Sequence, residues 1–268
     1  MTVLGVRGHP PIWNEARFGI ELVSLVRDPV FRCEGVPHGA GQPVLLIPGF
    51  LAGDDSLGLM TKWLRRAGYR TFACGMRSNV DCGAAAIDRL TERLEFVAER
   101  EGRRVVIVGQ SRGGGLARVM AVRRPDLVSG IVTLGTPHAD PMAVHPLVVI
   151  QVAVVGLLGT LGLPGLFKKS CLDGGCCAAV REDLAAAFPT DVGFCSVYSR
   201  IDGIVDWRAC LDSGAQHFEI GSSHCGMGVH PETYRLLGNV LPMLREARAE
   251  PADAVPSVAG EARLRGVA

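Results

Sequence analysis

The chain has 268 residues, 48% of them hydrophobic, and its 28 basic residues almost balance 27 acidic ones for a net charge of +1. That length suits one large domain able to bury a core without staples. The charge balance excludes the basic footprint of a nucleic-acid binder. No basic, apolar and small-residue leader opens the sequence, so a cytoplasmic location is expected.

The nine cysteines include no C-x-x-C pair, which argues against a zinc framework. Cys74, Cys195 and Cys210 lie in apolar contexts and read as small buried hydrophobes. Cys171, Cys176 and Cys177 share a glycine-containing loop, where a disulfide stays open.

Residues 1–40 read as an extension with one helix, Trp13 to Val26, in which Trp13, Phe18, Leu22, Leu25 and Val26 recur at helical spacing. No chemistry is visible there. The main domain is expected over 41–245. It starts with a buried strand, Pro43 to Ile47, running into Pro48-Gly49-Phe50-Leu51-Ala52-Gly53. Ser56 to Gly68 predicts a helix with Leu57, Met60, Trp63 and Leu64 on one face, and Tyr69 to Cys74 a strand. A longer helix begins at Asp81 or Cys82 and ends near Gly102, with Ala86, Leu90, Leu94 and Val97 inward.

Val105 to Val108 is a run of β-branched residues, the mark of a fully buried strand. Gly109-Gln110-Ser111-Arg112-Gly113 follows, then an amphipathic helix to Arg124, stopped by Pro125. This strand–turn–helix context is the one a nucleophile elbow requires. The turn leaves no room for side chains beside the serine, hence Gly109 and Gly113. Ser111 then stands at a helix N-terminus, whose dipole favours developing negative charge. The Arg112 amide is one oxyanion donor; the loop after the earlier strand supplies the other, Phe50, with Leu51 in reserve. A dinucleotide-binding turn would place glycine where Ser111 stands and would follow the first strand of the domain.

Leu127 to Leu134 is another strand, ending at Gly135-Thr136-Pro137-His138. His138 precedes every acid candidate and reads as pocket wall rather than base. Residues 139–190 break the strand–helix alternation and predict a cap insertion. Leu147 to Leu166 is almost continuously apolar and approaches the length of a membrane span, but Gln151, repeated glycines and Pro164 favour a cap with one side on the core and the other on a greasy substrate. Val180 to Ala187 returns as a short helix.

Gly193 to Ser199 is a strand, followed by Arg200-Ile201-Asp202-Gly203-Ile204-Val205-Asp206-Trp207. In the chain order serine, acid, histidine, an acid after a late strand completes the triad. Asp202 is the first choice and Asp206 the fallback; either could instead cap a helix before Trp207. The last strand, Gln216 to Ile220, leads into Gly221-Ser222-Ser223-His224-Cys225-Gly226-Met227-Gly228. His217 lies within the strand and His230 abuts Pro231. His224 alone sits in a loop from which an imidazole can reach back over Ser111. Residues 246–268 are rich in Ala, Glu, Arg and Pro and read as a flexible tail.

Together these motifs resemble the α/β-hydrolase superfamily, in its bacterial lipase/esterase branch. The likeness runs from Pro43 to Leu241. It rests on Leu46-Ile47-Pro48-Gly49-Phe50, Gly109-Gln110-Ser111-Arg112-Gly113-Gly114, Leu134-Gly135-Thr136-Pro137-His138, Tyr198-Ser199-Arg200-Ile201-Asp202-Gly203-Ile204-Val205 and Ser223-His224-Cys225-Gly226-Met227. One departure is Pro48-Gly49 where many members have His-Gly. The resemblance implies an α/β fold: a mostly parallel central sheet flanked by helices, with an apolar helical cap. About six strands are evident rather than the family's eight.

The implied activity is a serine carboxylesterase or lipase, with an acyl-enzyme on Ser111, His224 as base and Asp202 as acid, and with no metal or organic cofactor. Leu51, Pro137, His138, Leu147, Ile150 and Val154 are expected to line the substrate site. The substrate is then a small hydrophobic ester, and the cap leaves contact with a lipid interface open. Acyl transfer from the same acyl-enzyme, and a non-catalytic ligand-binding homologue, are the alternatives. Oligomeric state is not legible.

Overall fold

Strands of near-continuous apolar residues are buried on both faces, and such strands belong to parallel sheets covered by helices. The computed structural model describes residues 10–244 and has this architecture; the tail expected over 246–268 lies outside the described residues. A 3-10 segment, Ile12–Arg17, leads into α1 (Phe18–Arg27), β1 (Pro43–Ile47), α2 (Gly58–Arg66), β2 (Arg70–Ala73), α3 (Gly83–Glu101), β3 (Val105–Gln110) and α4 (Arg112–Arg123). Then come β4 (Val128–Leu134), α5 (Pro146–Thr160), α6 (Ser170–Asp173), α7 (Ala178–Ala185), β5 (Gly193–Tyr198), β6 (Gln216–Glu219) and α8 (Pro231–Val240). The six strands form one sheet in the order β2-β1-β3-β4-β5-β6, with every pairing parallel.

Alternate side chains of each strand serve opposite layers. Val44, Leu46, Val106 and Val108 pack with Leu25 of α1, Trp63 of α2 and Tyr234 of α8. Leu45, Ile47, Val105 and Ile107 pack with Leu90 of α3, Met120 of α4 and Val180 of α7. The chain leaves β1 toward α2 on one face and leaves the adjacent β3 toward α4 on the other. Loops that diverge from neighbouring strands open a crevice at the strands' carboxyl ends, where open α/β sheets place their ligands.

Two elements depart from expectation. The N-terminal helix is a 3-10 segment followed by α1, and it buries Glu21 and Leu25; of the apolar residues at helical spacing, Trp13, Phe18 and Val26 are exposed. In the cap, α5 is 15 residues long, and no helix among the described residues is long and apolar enough to cross a membrane. Chain reversal follows at Gly162 and Gly165, both at positive φ. The returning segment crosses α5 where a Cβ at Gly159 would stand 2.2 Å from the Phe167 carbonyl oxygen. That crossing fixes which side of α5 faces inward.

Candidate active site

β3 ends at Gln110 and α4 begins at Arg112, so Ser111 alone makes the turn. Its backbone lies at φ +50° and ψ −123°, a conformation costing a residue with a side chain about 1–3 kcal/mol. Its neighbours hold it there. The Ser111 amide donates to the Leu134 carbonyl (2.8 Å) and its carbonyl accepts from the Gly114 amide (2.9 Å) and from the Thr136 hydroxyl (3.0 Å). A Cβ at Gly109 would lie 2.6 Å from the Gly113 carbonyl oxygen, and one at Gly113 would lie 2.3 Å from that of Ile47. Both glycines are therefore demanded by backbone crowding.

Asp202 and His224 meet beside this turn. The His224 Nδ1 lies 2.7 Å from Asp202 Oδ2, with the two residues only 6% and 1% exposed. The other Asp202 oxygen accepts the amides of Ile204 and Val205, each at 2.8 Å. Burial pushes the imidazole pKa down, but the charge and hydrogen bond of Asp202, with the charge of Glu15, outweigh it and leave the pKa raised. Asp206, the alternative acid, instead caps the 3-10 turn Trp207–Cys210 through the Arg208 amide. His217 accepts the Asp212 amide (3.1 Å), and His230 caps α8 through the Glu232 amide (3.3 Å).

The Gly135–Thr136 turn after β4 is common ground for Ser111 and His224. Thr136 binds the Ser111 carbonyl, and a Cβ at Gly135 would stand 2.9 Å from His224 Nδ1. Gln110, next to Ser111, donates from its side chain to the His224 carbonyl (3.1 Å). No hydrogen bond joins the Ser111 hydroxyl to the imidazole among the described residues.

The N-terminal segment supplies what the sequence reading missed. Glu15 Oε1 accepts the amides of Gly203 and His224, both at 3.0 Å, and Oε2 accepts that of Cys225 at 2.8 Å. Glu21 accepts the Ser223 amide (2.8 Å) and hydroxyl (2.6 Å). These carboxylates tie the loops carrying Asp202 and His224 to each other and to α1. A signal did exist: Glu21 lies four positions before Leu25, on the one helix face that goes inward.

The loop from β1 comes directly against the serine, since a Cβ at Gly49 would lie 3.3 Å from Ser111 Cβ. Asn79 fixes this loop. Its side chain donates to the Pro48 carbonyl (2.8 Å) and accepts from the Arg112 guanidinium, while its amide donates to the Ala52 carbonyl (2.9 Å). Arg112 opens α4, where its own amide has no intrahelical acceptor. Phe50 faces the cap, its ring 6.3 Å from that of Phe167. Leu51 is exposed and at positive φ, and Pro137 is half-buried.

Four of the residues expected to line the substrate site are placed away from an enclosed pocket wall. Leu147, Ile150 and Val154 are 51%, 58% and 49% exposed, on the outer side of α5. The glycines at the crossing turn Val152 and Val155 inward instead, onto Val80, Phe50 and Phe167. His138 is buried. Its Nε2 lies 2.9 Å from the Thr133 hydroxyl and its ring packs edge-on to Phe194; burial pushes its pKa down to about 4.

Sheet order, elbow and the Asp202–His224 pair define an α/β-hydrolase fold. A model of the PGAP1-like α/β domain family matches residues 78–153, which include Ser111. Among solved structures, the mature Bacillus licheniformis lipase BlEst2 superposes with a TM-score of 0.56 at 15% identity, over 78% of this chain and 94% of that one. A metagenomic carboxyl esterase gives a TM-score of 0.58 at 15% identity, over 77% and 76%. A Paleococcus ferrophilus monoacylglycerol lipase gives 0.52 at 17% identity, over 78% and 97%. At such identities the likeness is one of fold.

Proposed function

We propose that the protein is a serine hydrolase of carboxylic esters with an apolar acyl or alcohol group. The observation that carries the reading is Ser111, held at φ +50° beside a buried His224–Asp202 pair 2.7 Å apart. A fold alone would not carry it. A strained serine between obligatory glycines has no packing purpose, and a carboxylate-oriented imidazole is what its activation needs.

His224 takes the Ser111 proton through Nε2 as the hydroxyl oxygen attacks the ester carbonyl. Asp202 holds Nδ1–H and stabilises the imidazolium. The amides of Phe50 and Arg112 hold the oxyanion, each contributing about 3 kcal/mol of transition-state stabilisation. Collapse expels the alcohol, which takes the proton back from His224. Water, deprotonated by His224, then releases the acid from Ser111. Phe50, Val152, Val155 and Phe167 supply the apolar wall that favours a hydrophobic substrate. The outer stripe of α5, with Leu147, Ile150, Val154 and Leu157 exposed, suits a lipid surface, from which such esters are drawn.

The test is hydrolysis of p-nitrophenyl esters from acetyl to palmitoyl, wild type beside Ser111→Ala, with fluorophosphonate labelling of both. Expected are turnover and labelling by the wild type and loss of both in the variant. Turnover retained without Ser111 sinks the mechanism. Labelling without hydrolysis, with ester formed from added alcohol, would make the protein an acyltransferase.

A further inference from the structure

Four thiols converge outside the Ser111 site. The sulfurs of Cys82, Cys171, Cys176 and Cys177 all lie within 4.8 Å of one another. Two edges of this group are 3.5 Å (Cys82–Cys177) and 3.8 Å (Cys176–Cys177). A tetrahedral zinc site with Zn–S bonds of ~2.3 Å has S···S edges of about 3.8 Å. We propose that Cys82, Cys171, Cys176 and Cys177 form a four-thiolate zinc site that pins the cap to the first turn of α3.

Burial does not explain the cluster. Cys176 is exposed, and Cys82 and Cys171 are half-buried, so these are not core fillers. Two positive groups stand near the sulfurs. Cys82 is the N-cap of the 19-residue helix α3, whose positive end stabilises a thiolate. The second partner is Arg112. Its guanidinium stands within electrostatic reach of Cys177, Cys82 and Cys171. Zinc binding displaces the thiol protons and leaves a dianionic centre, with the Arg112 cation to offset part of that charge.

The staple would hold the part of the cap before α7. α7 packs on the main core through Val180, whereas α5 and the returning segment have only a small apolar anchor: Val80, Val155 and Phe167, with Phe50, Val152, Leu166 and Cys171 against them. Cys171 lies in α6, and Cys176 and Cys177 in the 3-10 turn Gly175–Cys177 before α7, so a metal would cross-link the returning half of the cap to α3. The sequence hides this because the fourth ligand is 95 residues from Cys177. The spacing therefore matches no compact zinc motif.

The experiment is metal analysis of the full chain, purified without chelator, together with Co2+ substitution. Expected are one zinc per chain and, with Co2+, intense thiolate-to-metal charge transfer and the visible bands of a tetrahedral site. The Cys171→Ser/Cys176→Ser double variant, shown folded by circular dichroism, should lose zinc to a competing chelator at a concentration at least about tenfold lower. Cys33→Ser, outside the cluster, should keep the full stoichiometry. Zinc-free wild-type protein that takes up no metal after reduction, a native disulfide among the four by mass, or unchanged retention in the double variant would overturn the proposal. None of these readouts depends on ester hydrolysis.

Discussion

Asp202 and Asp206 differ by four positions and by everything around them. Asp202 is buried, with one oxygen on two amides and the other on His224. Asp206 caps a short turn and meets Arg208 at the surface. Asp202→Asn should lower kcat by ~10^4, because a neutral amide selects the wrong imidazole tautomer. Asp206→Asn should cost only a few tenths of a kcal/mol, roughly, because asparagine caps as well as aspartate; the reverse ranking in kcat would move the acid role to Asp206. The raised His224 pKa also fixes a sign. The base must be neutral, so the acid limb of kcat/KM against pH should lie above the ordinary histidine value of about 6.5. Stability runs the other way: the protonated imidazole contributes fully below that value, and the contribution fades as pH rises through the folded pKa. An acid limb below it would show that burial had won over Asp202.

At the scale of elements, the motif-bearing segments were legible and their supports were not. The elbow could be read because a buried strand, two glycines and a helix are adjacent in sequence. So could the order of Ser111, Asp202 and His224. Glu15 could not be read as a partner of the His224 amide, because the two are 209 residues apart and a backbone donor leaves no pattern. His138 was misplaced for a related reason: a loop residue after β4 can turn to either layer, and Phe194 with Thr133 decided it. The N-terminal segment is thus part of the site, as a positioning element. Glu15→Gln removes a charge that raises the His224 pKa, so its acid limb should shift to lower pH. It should also destabilise the fold by about 1 kcal/mol by weakening charge-assisted bonds to amides that are at most partly buried, measured by urea unfolding. Lower stability with an unmoved pH profile would make Glu15 merely structural.

For the whole molecule, the sheet and its two layers of helices followed from strand and helix periodicity, whereas the rotation of α5 did not. A helix apolar all round carries no record of which side is inward; Gly156 and Gly159, packed against Phe167 and Lys169, hold that information. The outer stripe is left exposed next to the site's rim. Ile150→Gln with Leu157→Gln should therefore lower hydrolysis of emulsified long-chain esters by about tenfold and leave soluble acetyl esters within a few-fold of wild type. Equal loss on both substrates would remove the surface-contact reading and return these side chains to the pocket.

The bonds from Glu15 and Glu21 to the loop at Ser223–Cys225 also set an order of assembly. Contacts spanning 202 to 210 residues close only after nearly the whole sheet has been laid down, and such distant closures are slow. A nascent chain can pack Leu25 of α1 onto β1, α2 and β3 early, but it cannot make these carboxylate bonds until β6 and its following loop leave the ribosome. Competence to react would thus arrive as a late, single step of maturation, well after the strand–turn–helix around Ser111 has formed.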